Sequence, residues 1–130
     1  MTVKVSTIVP VYNAQVFIGK CIEALLDQTY NIEDYEIIVV DDGSNDRTCS
    51  IVKSYPVKYI YQENYGPATA RNKGADMAKG EIILFTDSDC VPDRNWIMEM
   101  LKPFESPGVI AVKGAYRTEQ RSVVARFSKA

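Results

Sequence analysis

The sequence contains no histidine, and this absence excludes several kinds of active site. A Ser-His-Asp triad, a Cys-His pair and a histidine-ligated zinc site all need an imidazole that this chain does not have. The three cysteines, Cys21, Cys49 and Cys90, are odd in number and lack the spacing of a zinc site. We therefore expect reduced thiols and a cytoplasmic location rather than a disulfide framework.

Long apolar runs and basic tracts are absent as well. No apolar run approaches the ~20 residues that a membrane helix needs, and the first residues lead directly into a strand pattern, so no signal peptide is expected. The net charge is −2 without a basic tract, which argues against a nucleic-acid partner. The glycine-rich loops of P-loop hydrolases and dinucleotide-binding enzymes are missing too. The length of 130 residues, 46% of them hydrophobic, suits one domain with a sizeable core.

Apolar strand patterns alternate with helical patterns along nearly the whole chain. Runs rich in β-branched residues predict strands at residues 3–11, 35–40, 57–61, 81–86 and 109–112. Apolar stripes predict helices at residues 14–28, 46–54, 66–79 and 93–104, with a weaker helical pattern at 123–129. The alternation predicts an α/β fold, in which a doubly wound, mostly parallel sheet carries helices on both faces.

Polar clusters directly follow three of the predicted strands. Tyr12 and Asn13 follow the first, residues 41–44 (Asp-Asp-Gly-Ser) the second and residues 87–89 (Asp-Ser-Asp) the fourth. Because the carboxyl ends of parallel strands lie at one edge of a sheet, these clusters should share one crevice, where open α/β sheets bind ligands. Each cluster alone has a simpler explanation as a turn, a helix cap or a charged loop. Their common location favours a binding site.

Asp87 and Asp89 are the hardest of these residues to explain by folding alone. Two carboxylates at positions i and i+2 of an extended segment lie on the same side. Their mutual repulsion is costly unless a cation or a hydrogen-bond donor lies between them. A hard divalent cation that also holds a diphosphate would meet that requirement.

The stretch at residues 64–74 adds a predicted helix N-terminus to the crevice. Its small residues predict close packing on the sheet, and Pro67 suits the first helical turn. Free N–H groups at a helix N-terminus attract anions. Arg71, one turn into this helix, can reach a phosphate or pair with a carboxylate such as Asp87. An exposed helix arginine is the simpler alternative.

Together these motifs resemble those of the family-two inverting glycosyltransferases with the GT-A fold. The matching segments, in order, are residues 8–13 (Ile-Val-Pro-Val-Tyr-Asn), 40–44 (Val-Asp-Asp-Gly-Ser), 64–74 and 87–89 (Asp-Ser-Asp). The resemblance implies an enzyme that binds a nucleoside-diphosphate sugar, in the first place a UDP-sugar, with Mn²⁺ or Mg²⁺. It further implies transfer of the sugar, with inversion, to a hydroxyl of an acceptor glycan, lipid or other compound.

The resemblance also assigns roles to individual residues. Tyr12 would stack on the nucleotide base and Asp41 would accept a hydrogen bond from it, while Arg71 would lie near the diphosphate. Asp87 would lie toward the ribose, and Asp89, together with Asp87, would bind the metal. The full set implied in nucleotide-sugar binding is Pro10, Tyr12, Asn13, Asp41, Asp42, Arg71, Asp87 and Ser88.

One part of the family pattern is not matched in this chain. Family members continue well past this point, and their general base is an acidic residue far downstream of the Asp-x-Asp motif. Of the acids after Asp89, Asp93 and Glu99 fit a helix and Glu119 lies in a weakly patterned tail. We therefore expect the base to lie outside this chain. Residues 1–115 should form the nucleotide-sugar-binding core, and 116–130 the start of an acceptor-side region that is truncated here.

Further expectations follow from a truncated enzyme. The chain alone should transfer sugar slowly or not at all, and uncovered apolar surface should favour a homo-oligomer. Membrane association of the full-length enzyme stays open. Two other functions also remain: a non-catalytic nucleotide-sugar-binding module, and a receiver-like signalling domain that binds Mg²⁺. The second would need an acidic cluster after the first strand and a lysine after the fifth, and Lys113 is the only trace of either.

Overall fold

The structure, a computed structural model, describes residues 2–117. Six strands lie in this part of the chain: β1 (Val5–Val11), β2 (Tyr35–Asp41), β3 (Lys58–Tyr61), β4 (Ile82–Phe85), β5 (Ala111–Val112) and β6 (Ala115–Arg117). The α-helices are α1 (Ile18–Leu26), α2 (Thr48–Lys53), α3 (Pro67–Met77) and α4 (Trp96–Leu101), with 3-10 turns at Ile32–Asp34 and Lys102–Glu105. Between residues 2 and 117, no helix combines the length and the apolar character needed to cross a membrane.

The strands form one sheet in the order β3-β2-β1-β4-β6-β5. β1 pairs in parallel with β2 and β4, and β2 pairs in parallel with β3. Successive side chains of a strand face opposite sides of the sheet. Val9 and Val39 accordingly pack in the core under α1, α2 and α4, whereas Ile8 and Val40 pack under α3. Helices cover both faces, so the predicted α/β fold is confirmed.

The last two strands depart from the predicted pattern. A strand was expected over residues 109–112, but only Ala111 and Val112 are extended. The chain then reverses at Gly114, whose φ of +81° lies in the left-handed region that glycine adopts without steric cost. It returns as β6, which pairs antiparallel with both β4 and β5 and which the sequence pattern did not predict. The helix expected at 123–129 lies outside the described residues.

The first helix begins later than its apolar stripe predicts. α1 starts at Ile18 rather than at residue 14, because the preceding residues form a turn. The N–H of Ala14 donates to Thr48 Oγ1 at 2.9 Å and ties this turn to the start of α2. Val16 and Phe17, which the helical stripe included, are 75% and 53% exposed.

The second helix also begins later than its sequence pattern predicts, which places the start at residue 46. Instead α2 starts at Thr48, whose N–H donates to Asp46 Oδ1 at 2.9 Å. Ser44 Oγ accepts a hydrogen bond from the N–H of Asn13 at 2.8 Å.

α3 lies close against the sheet because its buried face is made of small residues. Ala70, Gly74 and Ala75 are its buried positions. A Cβ at Gly74 would overlap Ile8 Cγ2 and lie 3.2 Å from Val40 Cγ2. Pro67 is the first residue of the helix, as predicted. The helix ends at Met77, two residues before the end of its predicted range.

We predict that Gly74→Ala lowers the free energy of unfolding by about 1–3 kcal/mol, because the added methyl group overpacks the contact with β1. Urea unfolding followed by circular dichroism measures this change. Gly19→Ala in α1 is the matched control, since its Cβ would meet only the Tyr55 hydroxyl at 3.3 Å and Ile51 at 3.9 Å. Equal stability of Gly74→Ala and the natural chain would contradict the packing argument.

Candidate functional site

A cleft of about 380 Å³ opens at the carboxyl edge of the parallel strands. Its walls come from the ends of β1, β2 and β4 and from the start of α3. The lining residues are Pro10, Val11, Tyr12, Asp42, Asn64, Gly66, Pro67, Arg71, Asp87 and Ser88. A smaller cavity of about 230 Å³ shares Pro10, Arg71 and Asp87 with it and continues toward Tyr116 of β6. The two cavities therefore adjoin at these three residues, and we call them together the depression.

The structure gathers most of the predicted site residues in this cleft. Those that line it are Pro10, Tyr12, Asp42, Arg71, Asp87 and Ser88. Asn13 and Asp89 are exposed beside the cleft, and Asp41 is fully buried beneath it. Val11, Asn64, Gly66 and Pro67 complete the lining, and the sequence analysis had given none of them an individual role in binding. The position of the last three, just before and at the start of α3, was the available signal.

Asp41 points into the protein rather than into the cleft. Its side chain has no solvent exposure. Oδ1 accepts a hydrogen bond from the N–H of Ser44 at 2.9 Å, and Oδ2 accepts one from the hydroxyl of Tyr59 at 2.6 Å. Both carboxylate oxygens of Asp41 therefore have partners inside the protein, and the base contact that the family resemblance gives to Asp41 stays a prediction. Its neighbour Asp42 is the aspartate of the pair that lines the cleft.

Asp42 holds the segment that leads into α3. It is 5% exposed, and its Oδ1 accepts hydrogen bonds from Gln62 Nε2 at 2.7 Å and from the N–H of Tyr65 at 2.8 Å. Its Oδ2 accepts the N–H of Gly66 at 3.0 Å. Gly66 has a φ of +103°, which suits glycine and makes the turn into the helix possible. The Asp42 carboxylate thus fixes the wall of the cleft that lies at the start of α3.

Tyr12 is 48% exposed and lies in a backbone turn that hydrogen bonds of the next residue hold in place. The next residue, Asn13, has a φ of 47°, a left-handed conformation that asparagine tolerates better than most residues. Its N–H donates to Ser44 Oγ at 2.8 Å, and its Oδ1 accepts the N–H of Asn45 at 2.9 Å. These bonds staple the loop after β1 to the loop after β2.

A second pair of bonds extends this staple. The N–H of Gln15 donates to Asp46 Oδ2 at 3.3 Å, and the N–H of Arg47 donates to Gln15 Oε1 at 3.0 Å. Burial opposes the ionisation of Asp46, but hydrogen bonds from Thr48 and Gln15 outweigh it and lower the pKa of Asp46. The sequence analysis had not singled out Gln15 or Asp46 for this role.

Asp87, Asp89 and Cys90 form an exposed cluster at the end of β4. One ligand atom from each lies within 4.8 Å of the others, and Cys90 Sγ is 3.9 Å from Asp89 Oδ1. The N–H of Cys90 donates to the carbonyl of Asp87 at 3.1 Å and closes the turn between them. Paired carboxylate oxygens at this spacing can share one hard divalent cation, so the donor set fits the metal that the sequence predicts.

Cys21 of α1 lies directly beneath this turn. Its Sγ donates to the carbonyl oxygen of Asp87 at 3.6 Å. Burial, reinforced by the nearby Cys90, Asp89 and Asp87, raises the pKa of the Cys21 thiol to about 12. This thiol therefore stays protonated and serves as a support for the turn rather than as a nucleophile.

Arg71 is half-buried between the two parts of the depression. Within the described residues it makes no ion pair, so the pairing with Asp87 that the sequence allowed is not formed. Its guanidinium is available to a ligand in the cleft. A guanidinium offers planar, paired donors that match a phosphate group.

Comparison with known proteins agrees with this geometry. Residues 6–128 match the sequence profile of Glycosyl transferase family 2. Glycosyltransferase AglE of Haloferax volcanii is 38% identical over 116 residues, which cover 85% of this chain and 38% of AglE. The chain thus spans less than half the length of this curated relative.

Solved structures show the same fold. S. aureus TarS 1-349 in complex with UDP has a TM-score of 0.72 at 32% identity, covering 78% of this chain and 32% of that chain. The mannosyltransferase PcManGT from Pyrobaculum calidifontis, in complex with GDP-Man and Mn²⁺, has a TM-score of 0.77 at 29% identity. That match covers 95% of this chain and 39% of PcManGT.

We predict that iodoacetamide at about pH 8 labels Cys90 in the folded protein but labels Cys21 only after denaturation. Cys90 is exposed, whereas burial and the raised pKa of Cys21 keep its thiol inaccessible and protonated at this pH. Peptide mass spectrometry after timed labelling measures both rates. Labelling of Cys21 at the rate of Cys90 in the folded protein would contradict its placement under the turn.

Proposed function

The chain belongs to glycosyltransferase family 2, and from that membership we propose that it binds a nucleoside-diphosphate sugar with a divalent cation and acts in sugar transfer. In this proposal the sugar passes, with inversion, to a hydroxyl of an acceptor glycan, lipid or other compound. The observation that carries the proposal is the single cleft in which Tyr12, Asp42, Arg71 and Asp87 meet. The complexes of TarS with UDP and of PcManGT with GDP-Man and Mn²⁺ support it.

The base and ribose belong at the β1 and β2 side of the cleft. The half-exposed ring of Tyr12 offers a stacking surface, and Pro10 lies beside it in the lining. We assign base recognition to Asp42 instead of Asp41. Asp42 lines the cleft, and among residues 2–117 its Oδ2 accepts only the N–H of Gly66, so acceptor capacity remains for an N–H of the base. Asp87 would lie toward the ribose in this arrangement, with Ser88 beside it in the lining.

The diphosphate belongs between α3 and the Asp87 turn. The guanidinium of Arg71 can donate two parallel hydrogen bonds to phosphate oxygens, and the N-terminus of α3 adds a favourable partial charge. Asp87 and Asp89 would hold Mn²⁺ or Mg²⁺, both of which prefer carboxylate oxygens. When bound, such a cation neutralises the charge that develops on the diphosphate as the anomeric bond breaks.

We place the general base outside the residues that line the cleft. In the described part of the chain the cleft's acids are Asp42 and Asp87, and both have binding roles in this proposal. An inverting transfer needs a base on the acceptor side, opposite the leaving group. Residues 1–115 are accordingly assigned to the nucleotide-sugar-binding core and residues 116–130 to the start of an acceptor-side region. A non-catalytic binding module would share the cleft but show no acceptor-dependent transfer.

We predict that Asp89→Asn abolishes the Mn²⁺-dependent part of nucleotide binding, because one of the two carboxylates that would hold the cation is lost. Calorimetric titration with UDP and with GDP, each with and without Mn²⁺, measures this change. Glu105→Gln removes another exposed charge, away from the cleft, and should leave the Mn²⁺ dependence intact. Identical titrations of Asp89→Asn and the natural chain would rule out the metal-ligand role.

We predict that Arg71→Ala raises the Kd for UDP about tenfold or more, because a charge-assisted contact with the diphosphate is lost. The Kd for uridine, which has no phosphate, should not change. Lys73→Ala is the matched control, since it removes a positive charge from an exposed position of the same helix. An equal loss of affinity for uridine and UDP would place Arg71 outside the diphosphate site.

A further inference from the structure

Tyr59 of β3 lies outside the cleft but bonds directly to the buried aspartate beneath it. Its hydroxyl donates to Asp41 Oδ2 at 2.6 Å, and the Asp41 side chain has no solvent exposure. Burial, together with the hydrogen bond to Asp41, raises the pKa of Tyr59. The phenol therefore remains protonated at physiological pH and remains a donor to the carboxylate.

The hydrogen bonds continue from Asp41 to the wall of the cleft. Asp41 Oδ1 accepts the N–H of Ser44 at 2.9 Å, and Ser44 Oγ accepts the N–H of Asn13 at 2.8 Å. A chain of three hydrogen bonds thus runs from the middle of β3, through the end of β2, to the residue next to Tyr12. We call Tyr59, Asp41, Ser44 and Asn13 the β3 relay.

The relay ends at Asn13, which lies beside the cleft, next to Tyr12, and whose backbone needs support. Asn13 holds a left-handed backbone at φ 47°, which requires anchoring by its surroundings. Tyr12 is 48% exposed, so its ring is placed mainly by the backbone on which it sits. Release of Asn13 would let that backbone relax and move the ring away from the lining.

We propose that Tyr59 is a positioning residue for nucleotide binding, which acts through Asp41 and Ser44 to hold Asn13 and the ring of Tyr12 at the cleft. This inference rests on the proposed function, because it takes the ligand to be a nucleotide. It also gives the first aspartate of the Asp-Asp pair a role that does not require it to face the ligand. Asp41 thus affects nucleotide binding without contacting the nucleotide.

A purely stabilising role for Tyr59 would have a different signature. Tyr59→Phe leaves a buried carboxylate oxygen without its donor, which lowers stability in either case. Tyr55→Phe is the matched control, because it removes a tyrosine–carboxylate bond of 2.7 Å, to Glu23, at an exposed site away from the cleft. Only a positioning role predicts a selective loss at the nucleotide site.

The first experiment is a calorimetric double-mutant cycle on the full chain, with UDP and GDP as probes in the presence of Mn²⁺. Tyr59→Phe should raise the Kd of the preferred nucleotide roughly tenfold, while Tyr55→Phe leaves it unchanged. Asp41→Ala should weaken binding as well. In the Asp41→Ala background Tyr59→Phe should add no further loss, because the relay is already interrupted. Additive losses, or equal affinities of Tyr59→Phe and Tyr55→Phe, would overturn the inference and leave the proposed function standing.

The second experiment measures amide hydrogen exchange and needs neither a nucleotide nor the Asp41 variant. Amide hydrogen exchange should be faster at Ser44 and Asn13 in Tyr59→Phe than in Tyr55→Phe. Unchanged protection at both amides would overturn the relay, whatever the binding data show. If the natural chain binds neither UDP nor GDP, the proposed function fails, and the positioning role fails with it. Hydrogen exchange therefore tests the relay separately from the ligand that it is proposed to serve.

Discussion

Burial of two consecutive carboxylates at the end of β2 is the constraint on which the cleft depends. An ionised carboxylate buried without partners would cost far more than a single hydrogen bond returns. Neighbouring loops therefore have to supply donors, and they do so in opposite directions. Asp41 takes donors from Tyr59 and Ser44 on the inner side, whereas Asp42 takes them from Gly66 and its neighbours. The loops after β1, β2 and β3 are held together as a result.

The wall of the cleft after β4 carries carboxylates that are exposed rather than buried. Asp87 and Asp89 are exposed, and no ion pair to either is formed in the part of the chain that the structure describes. Water screens their repulsion, and Cys21 supports only the backbone of the turn. The wall held by Asp42 is therefore fixed without a ligand. The wall with Asp87 and Asp89 carries negative charge that no ion pair within the described residues neutralises. Such a division suits a ligand that brings a cation together with its phosphates.

The sequence predicted the fold and the place of the cleft because both follow from coarse patterns. Buried strands rich in β-branched residues alternate with helices, and the polar clusters follow strand ends. The pattern did not show that Asp42 rather than Asp41 lines the cleft, since a shift of one residue reverses the side of a strand. Nor did it reveal the role of Tyr59. Its aromatic ring predicts a packing role, and only the structure shows that its hydroxyl donates to Asp41. The β6 strand was not predicted because its three residues are too few to show a strand periodicity.

The antiparallel return at Gly114 has a consequence for the order in which the protein is made. β6 lies between β4 and β5 in the sheet, although it leaves the ribosome after both. Until Arg117 has emerged, β4 has an open outer edge, of the kind to which foreign strands add. Arg117 then fastens the new strand by donating to the carbonyls of Val109 and Phe104, each at 2.7 Å. The nascent chain thus carries an unprotected sheet edge until the last of these strands is synthesised.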